Sequence, residues 1–361
     1  MKTPIDIIDL IKYSLTSLVF AYFLFPIVIK ILEWKQILDT PDSRKIHHVR
    51  TPSMGGIPIF IGVAFSLLLW LPGSHGEINK YLFSSLSLFF IIGLRDDLIP
   101  MQPKLKLLSQ LIPIVIIVIL ADLRLFSFYD ISNFQFNPIM SIVITIFSLI
   151  VITNSFNLID GIDGLAGTIS IIALTSFGIW FYLTGNYTLS FITSAFVGSI
   201  ISFLIYNWSP SKIFMGDTGA LLIGFFLACI TIYFINLNFG LESTSPYKFE
   251  ASISTAICFI IVPLVDTLRV FVIRLTHFKS PFHADNNHIH HILIQVGLSH
   301  STATIVLATI NILFIVLAYF GRHYSDKIML LIIFGIVILL LVALRWFQLS
   351  IKSQTKKTTI K

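Results

Sequence analysis

Runs of about 20 apolar residues, each long enough to cross the hydrocarbon core of a bilayer as a helix, recur along this chain with short polar connections between them. That repetition leaves few folds open. Inside lipid every backbone N–H and C=O must find a partner within the protein, so such a chain forms a helical bundle or a closed barrel. The period-two alternation of barrel strands is absent from the sequence. Eleven spans are expected, near residues 15–32, 57–71, 81–94, 107–122, 138–153, 165–184, 189–206, 220–237, 251–273, 302–320 and 328–347. With 56% hydrophobic and 12% charged residues, and a mean hydropathy of +0.90, the chain is not a soluble globule. The expected fold is all-α, a polytopic integral membrane protein, with residues 1–361 as one domain and 349–361 as a basic tail. The first span has no small-residue cleavage site and is expected to be retained.

Basic residues accumulate on the cytoplasmic side of membrane proteins. Seventeen of the 24 Lys and Arg residues fall in one set of connections and the C-terminal tail, and seven in the opposite set. This places the N-terminus outside and the C-terminus in the cytoplasm. A pI of about 9.2 then reflects contact with membrane lipid, and no nucleic-acid partner is expected. Cys229 and Cys258 both fall inside expected spans, which gives neither a disulfide framework nor metal spacing.

The same topology gathers Asp39, Asp42, Asp96, Asp97, Asp160, Asp163, Asp217, Asp266 and Asp285 on the cytoplasmic side. Acids at or in spans are costly and mark function. The connection 39–56 carries Arg44, Lys45, His47, His48 and Arg50 before Gly55-Gly56, donors for phosphate oxygens, although a positive-inside anchor would explain the loop alone. Asp96 and Asp97 follow the third span, and adjacent carboxylates suit a proton acceptor or a Mg²⁺ neighbour. The segment TNSFNLIDGIDGLAG spaces Asn154, Asn157, Asp160 and Asp163 by three, which would put four hard-oxygen side chains on one helical stripe suited to Mg²⁺ and its phosphates.

Asp217, in KIFMGDTGAL, reads equally well as a helix start. After the ninth span, PLVDTLRV brings Asp266 and Arg269, followed by Arg274, Lys279 and SPFHADNNHIHH. Six of the ten histidines lie between 277 and 300, and adjacent His290 and His291 cannot easily share one tetrahedral Zn²⁺, so acid/base or phosphate-binding work fits better.

In order, TPSMGG, RDDL, NSFNLIDGIDGLAG, KIFMGDTGALLIG, PLVDTLRV and HADNNHIHH resemble the polyprenyl-phosphate N-acetylhexosamine-1-phosphate transferases of glycosyltransferase family 4. The resemblance runs over 39–300 and is greatest to the bacterial undecaprenyl-phosphate GlcNAc-1-phosphate subgroup; phospho-MurNAc-pentapeptide translocase is a more distant relative. It implies transfer of an N-acetylhexosamine 1-phosphate, GlcNAc-1-phosphate first among them, from a UDP-sugar to undecaprenyl phosphate. UMP is released, and a lipid-linked glycan of the O-antigen or cell-wall type is begun. It also allows a homodimer.

By the same resemblance Asp163 and Asp217 hold Mg²⁺, for which Mn²⁺ can substitute, and Asp160 and Asn157 support the metal or the nucleotide. Asp96 or Asp97 stands where the family has its base for the lipid phosphate, with positioning as the equal alternative. Arg50 precedes the GG pair, and His288, His290 and His291 bind the sugar-nucleotide diphosphate, His290 within the reacting set. Asn154 joins the substrate side. The third acid that often follows the paired Asp is replaced by Leu98, Ile99 and Pro100. Asn286 and Asn287 replace a basic residue before the histidines, leaving Arg274 and Lys279 as substitutes.

An ion-coupled transporter would need acids at the midplane and matched halves, and neither is found in the sequence. A DDxxD prenyl transferase would need a second aspartate-rich motif and would leave the histidines unexplained.

Overall fold

A helix that is apolar on every side must be surrounded by protein or by lipid, and Gly216–Phe239 is surrounded by protein: 89% of its most hydropathic window is buried. It is the eighth of thirteen helices among the described residues, which are 7–39, 51–71, 77–132, 134–276 and 288–358 of this computed structural model. In chain order these are α1 Ile7–Trp34, α2 Gly56–Trp70, α3 Glu77–Leu98, α4 Pro103–Val115, α5 Pro138–Leu158, α6 Leu165–Leu183, α7 Tyr187–Asn207, α8 Gly216–Phe239, α9 Ser252–Phe259, α10 Ile261–Thr276, α11 Ile289–Gln295, α12 His300–Phe320 and α13 Asp326–Thr358. A single two-residue antiparallel pairing, Leu38–Asp39 with Thr51–Pro52, is the sheet content among them.

Aromatic rings seat the neighbours of α8. Phe225 stacks on Phe89 of α3 at 4.1 Å, Phe226 on Phe196 of α7 at 4.2 Å, and Phe234 meets Trp180 of α6 edge-on at 4.5 Å. Helices α1 and α7 approach through small residues instead. Ser17 Oγ donates to Ala195 O at 2.6 Å, and a Cβ on Gly198 would lie 2.0 Å from Ser14 O. Close backbone approach of this kind replaces the missing hydrophobic drive between helices in lipid. At the periphery, only 22% of the α1 window and 11% of the α13 window are buried, leaving Phe23, Leu331 and Leu339 on the outside.

All eleven expected spans coincide with helices, yet their lengths differ. Eight helices among the described residues are long and apolar enough to cross a membrane, or nine if α9 and α10 count as one bent span. Helix α2 has only 15 residues, and α3 carries charge at both ends, with Glu77 and Lys80 at one and Arg95, Asp96 and Asp97 at the other. The expected straight ninth span, 251–273, is bent by 89° between α9 and α10. Pro263 explains the break, because it has no N–H and its ring crowds the carbonyl four residues earlier, that of Phe259. Asn311 of α12 supplies the missing partners: its Nδ2 donates to Phe259 O at 3.1 Å and its Oδ1 accepts from Val262 N at 3.4 Å.

Candidate active site

The first N–H groups of a helix have no acceptor within it, and the helix dipole makes that end positive. At α8 the acceptors are carboxylates from elsewhere. Asp97, in the last turn of α3, accepts from Asp217 N through Oδ1 at 2.9 Å, and through Oδ2 from Thr218 N at 2.9 Å and Thr218 Oγ1 at 2.5 Å. The Asp160 carboxyl lies near the Gly216 N–H. Segment 51–56 runs beside the approach to α8: Phe214 N donates to Pro52 O at 2.8 Å, Gly55 N to Phe214 O at 2.9 Å, and Gly56 N to Met215 O at 3.1 Å. A Cβ on Gly56 would fall 2.2 Å from Gly219 N, and one on Gly93 2.5 Å from Asp217 O. These two positions let α2 and α3 touch the α8 backbone.

The Asp217 side chain turns from its own helix toward α4 and α5. Its Oδ1 accepts from Lys106 Nζ at 2.6 Å and Asn157 Nδ2 at 2.5 Å. Lys106 also pairs with Asp96 Oδ2 at 2.9 Å, and Asp96 Oδ1 accepts from Met101 N at 2.6 Å. One ammonium thus bridges a buried carboxylate, Asp96, and a half-buried one, Asp217. Asn154 stands apart from this group: it forms a reciprocal amide pair with Gln110, with Asn154 Nδ2 donating to Gln110 Oε1 at 2.8 Å.

The acids of DGIDG do not continue the α5 stripe. Helix α5 ends at Leu158, and Gly164 at φ +77° precedes α6, so residues 159–164 form a turn. Within it Asp160 is half-buried; desolvation, then the negative charges of Asp217 and Asp97, with a smaller push from Asp163, raise its carboxyl pKa to about 7 against the Gly216 N–H that lowers it. Asp163 points toward α12, where His300 Nδ1 lies 3.4 Å from its Oδ2. Across the same turn His290 packs on Gly161, whose absent Cβ would lie 2.3 Å from His290 Nε2. His288 is in turn held by Asp266, whose Oδ2 is 3.1 Å from His288 Nδ1, and His290 Nδ1 lies 3.5 Å from the same oxygen. His291 is half-buried, its ring 4.3 Å from that of His290, and Arg274 is buried in the last turn of α10.

Asp96, Asp97, Asp160, Asn157 and Asp217 therefore meet at one end of α8, with His290 one turn of chain away across Gly161. Arg50 and Lys279 lie outside the described residues. Among the described residues no three His, Cys, Asp or Glu side chains are gathered to enclose a metal ion. The donor chemistry nonetheless fits a hard divalent cation, since the acids around Asp160 are all oxygen ligands whose charges oppose its ionisation.

A relative in Bacillus subtilis (strain 168), a probable undecaprenyl-phosphate N-acetylglucosaminyl 1-phosphate transferase by name, is 31% identical over 339 residues, which cover 92% of this chain and 90% of that protein. The sequence profile of glycosyl transferase family 4 matches residues 80–235. The chain belongs to glycosyl transferase family 4. Undecaprenyl-phosphate alpha-N-acetylglucosaminyl 1-phosphate transferases of Yersinia pestis and Escherichia coli (strain K12) are each 28% identical, over 88% and 90% of this chain and 84% and 87% of their own lengths. For this family 4 transferase, the matched residues run from α3 through α8 and include all five aspartates of the α8 end and its turn, whereas Asp266 and the histidine helix lie beyond them.

Three members of the site escape a reading of the sequence. Lys106 counts there only as one more positive-inside charge, Gln110 as an ordinary polar residue of a span, and Asp266 as an acid near the membrane without a role. For Asp266 a signal exists, because an acid in an apolar helix needs a named partner and a cluster of histidines follows about one helix-length later. Lys106 leaves no such trace.

Proposed function

We propose that this protein transfers GlcNAc 1-phosphate from UDP-GlcNAc to undecaprenyl phosphate at the cytoplasmic face of a bacterial cytoplasmic membrane. The observation that carries the reading is the meeting of Asp97, Asp160, Asp217 and Lys106 at the start of α8, with His290 facing the same turn. The names of the relatives supply the sugar and the acceptor. An oxygen of the lipid phosphate attacks the phosphorus attached to GlcNAc, the bond from that phosphorus to the oxygen of UMP breaks, and UMP leaves. Because a phosphate monoester is largely ionised near pH 7, with its second pKa at about 6, the attack needs positioning more than a base.

The assignments of side chains follow from charge. Lys106 offsets part of the charge of two carboxylates at the place where two anionic substrates must approach. Asp97 is committed to the α8 backbone, so it shapes the site. His288, His290 and His291 face the diphosphate of the donor, with Arg274, Arg50 and Lys279 as further cations and Asn154 holding the α4–α5 wall through Gln110. Mg²⁺ would be held by Asp217 and Asp163, with Asp160 and Asn157 beside them, and when bound it neutralises diphosphate charge. Purified protein with undecaprenyl phosphate and Mg²⁺ should release UMP from UDP-GlcNAc, and EDTA should stop it. A panel with UDP-GalNAc and UDP-MurNAc-pentapeptide tests the donor; faster turnover of either, or no UMP from any of the three, would sink the assignment.

A further inference from the structure

The side chain of Asp266 is 3% exposed, on the helix that follows the 89° bend. A carboxylate so far from water needs polar partners. Three consecutive residues supply them: Oδ1 accepts the Ile289 N–H at 2.7 Å, while Oδ2 faces His288 Nδ1 at 3.1 Å and His290 Nδ1 at 3.5 Å. A cap for the short helix α11 would require the first contact alone. The His288 contact acts on ring orientation, while His290 Nδ1 stands within ion-pair range of the same oxygen without a hydrogen bond. An ionised carboxylate only accepts, so His288 Nδ1 carries the hydrogen, and in the neutral ring the lone pair then sits on Nε2. His288 and His290 lie nearly parallel, their ring centroids 5.5 Å apart and planes 16° from one another, so the orientation of His288 sets the face against which His290 stacks. The far edge of His290 rests on Gly161, between the two acids of the DGIDG turn.

We infer that Asp266 is a positioning residue that fixes the tautomer and rotation of His288, against which His290 packs, and through that ring the end of the site that receives the donor diphosphate. The inference about the donor rests on the proposed transferase reaction; the inference about the rings does not. Its test is a ¹⁵N-histidine NMR comparison of the full-length protein in lipid nanodiscs, with His288 identified by the signal lost in His288→Gln. The wild type should show His288 protonated on Nδ1. Asp266→Asn keeps an acceptor for Ile289 N but can donate to the ring, and should move His288 toward the Nε2–H form.

In the UMP-release assay Asp266→Asn should raise KM for UDP-GlcNAc roughly tenfold, by analogy with the loss of an orienting partner at metal-bound histidines. KM for undecaprenyl phosphate should stay unchanged, and Asp266→Glu should recover part of the loss. A wild-type His288 protonated on Nε2 would overturn the inference. So would an unchanged tautomer in Asp266→Asn, or a fall in kcat with both KM values intact, the pattern of a helix cap alone. If Asp266→Asn does not fold, the wild-type spectrum still decides. If the wild type releases no UMP, the transferase reading fails and the tautomer comparison stands on its own.

Discussion

Asp97 uses both of its oxygens on the backbone and hydroxyl groups that open α8. A carboxylate with that commitment stabilises the fold whatever else it does. Losing an N-cap acceptor costs about 1 kcal/mol, and leaving buried donors unmet costs about 1–3 kcal/mol. Asp97→Ala should therefore lower the thermal unfolding midpoint of the detergent-solubilised protein together with its activity. Asp96→Ala exposes Lys106 to Asp217 alone and should damage activity with a smaller shift. An Asp97→Ala protein that melts like wild type yet is inert would return Asp97 to the role of proton acceptor. Residue identity alone could not separate these roles. Both acids sit side by side in RDDL, and only their partners tell them apart: Asp97 holds Thr218, 121 positions away, whereas Asp96 pairs with Lys106, which also binds Asp217, 111 positions further along from that lysine.

At the scale of elements, the site depends on three helices meeting backbone to backbone. Gly56 on α2 and Gly93 on α3 each leave no room for a Cβ against residues 217–219 of α8, whereas Gly335 in α13 has nothing within 4 Å. Gly56→Ala must push α2 off α8, at a cost of about 1–3 kcal/mol or more by analogy with overpacked cores. It should lower the unfolding midpoint and turnover, while Gly335→Ala should change neither; equal behaviour of the two variants would mean that the contact does not matter. Such contacts were half legible. The GG pair and the DGIDG and GDTG glycines flag close approach, but nothing in the spacing says that Gly56 meets Gly219. Apolar periodicity likewise located the ninth span without its bend, since Pro263 reads as a tolerable kink until Asn311, from another helix, is seen to satisfy both broken backbone groups. The three-residue spacing of Asn154, Asn157, Asp160 and Asp163 suggested one stripe; α5 stops at Leu158, and the four side chains diverge to Gln110, Asp217, Gly216 and His300.

For the whole molecule, the uneven distribution of Lys and Arg is the ground for the orientation proposed above. The α8 start, with Lys212 just before it, faces the side rich in basic residues, while the connection from α8 to α9, with exposed Ser243, faces the other. Seventeen basic residues against seven are the ground for the proposed polarity, which would bring the acidic site to the compartment that contains nucleotide sugars. Cys229 and Cys258 are both buried, so single cysteines can be introduced without removing them. In intact bacterial cells, with outer layers permeabilised where present, a membrane-impermeant maleimide should label Ser243→Cys. It should label Lys212→Cys only after the cytoplasmic membrane is opened. The reverse pattern would place the start of α8 outside the cell, where a UDP-sugar has no supply, and the proposed reaction would fail with it even if the purified protein folded as described.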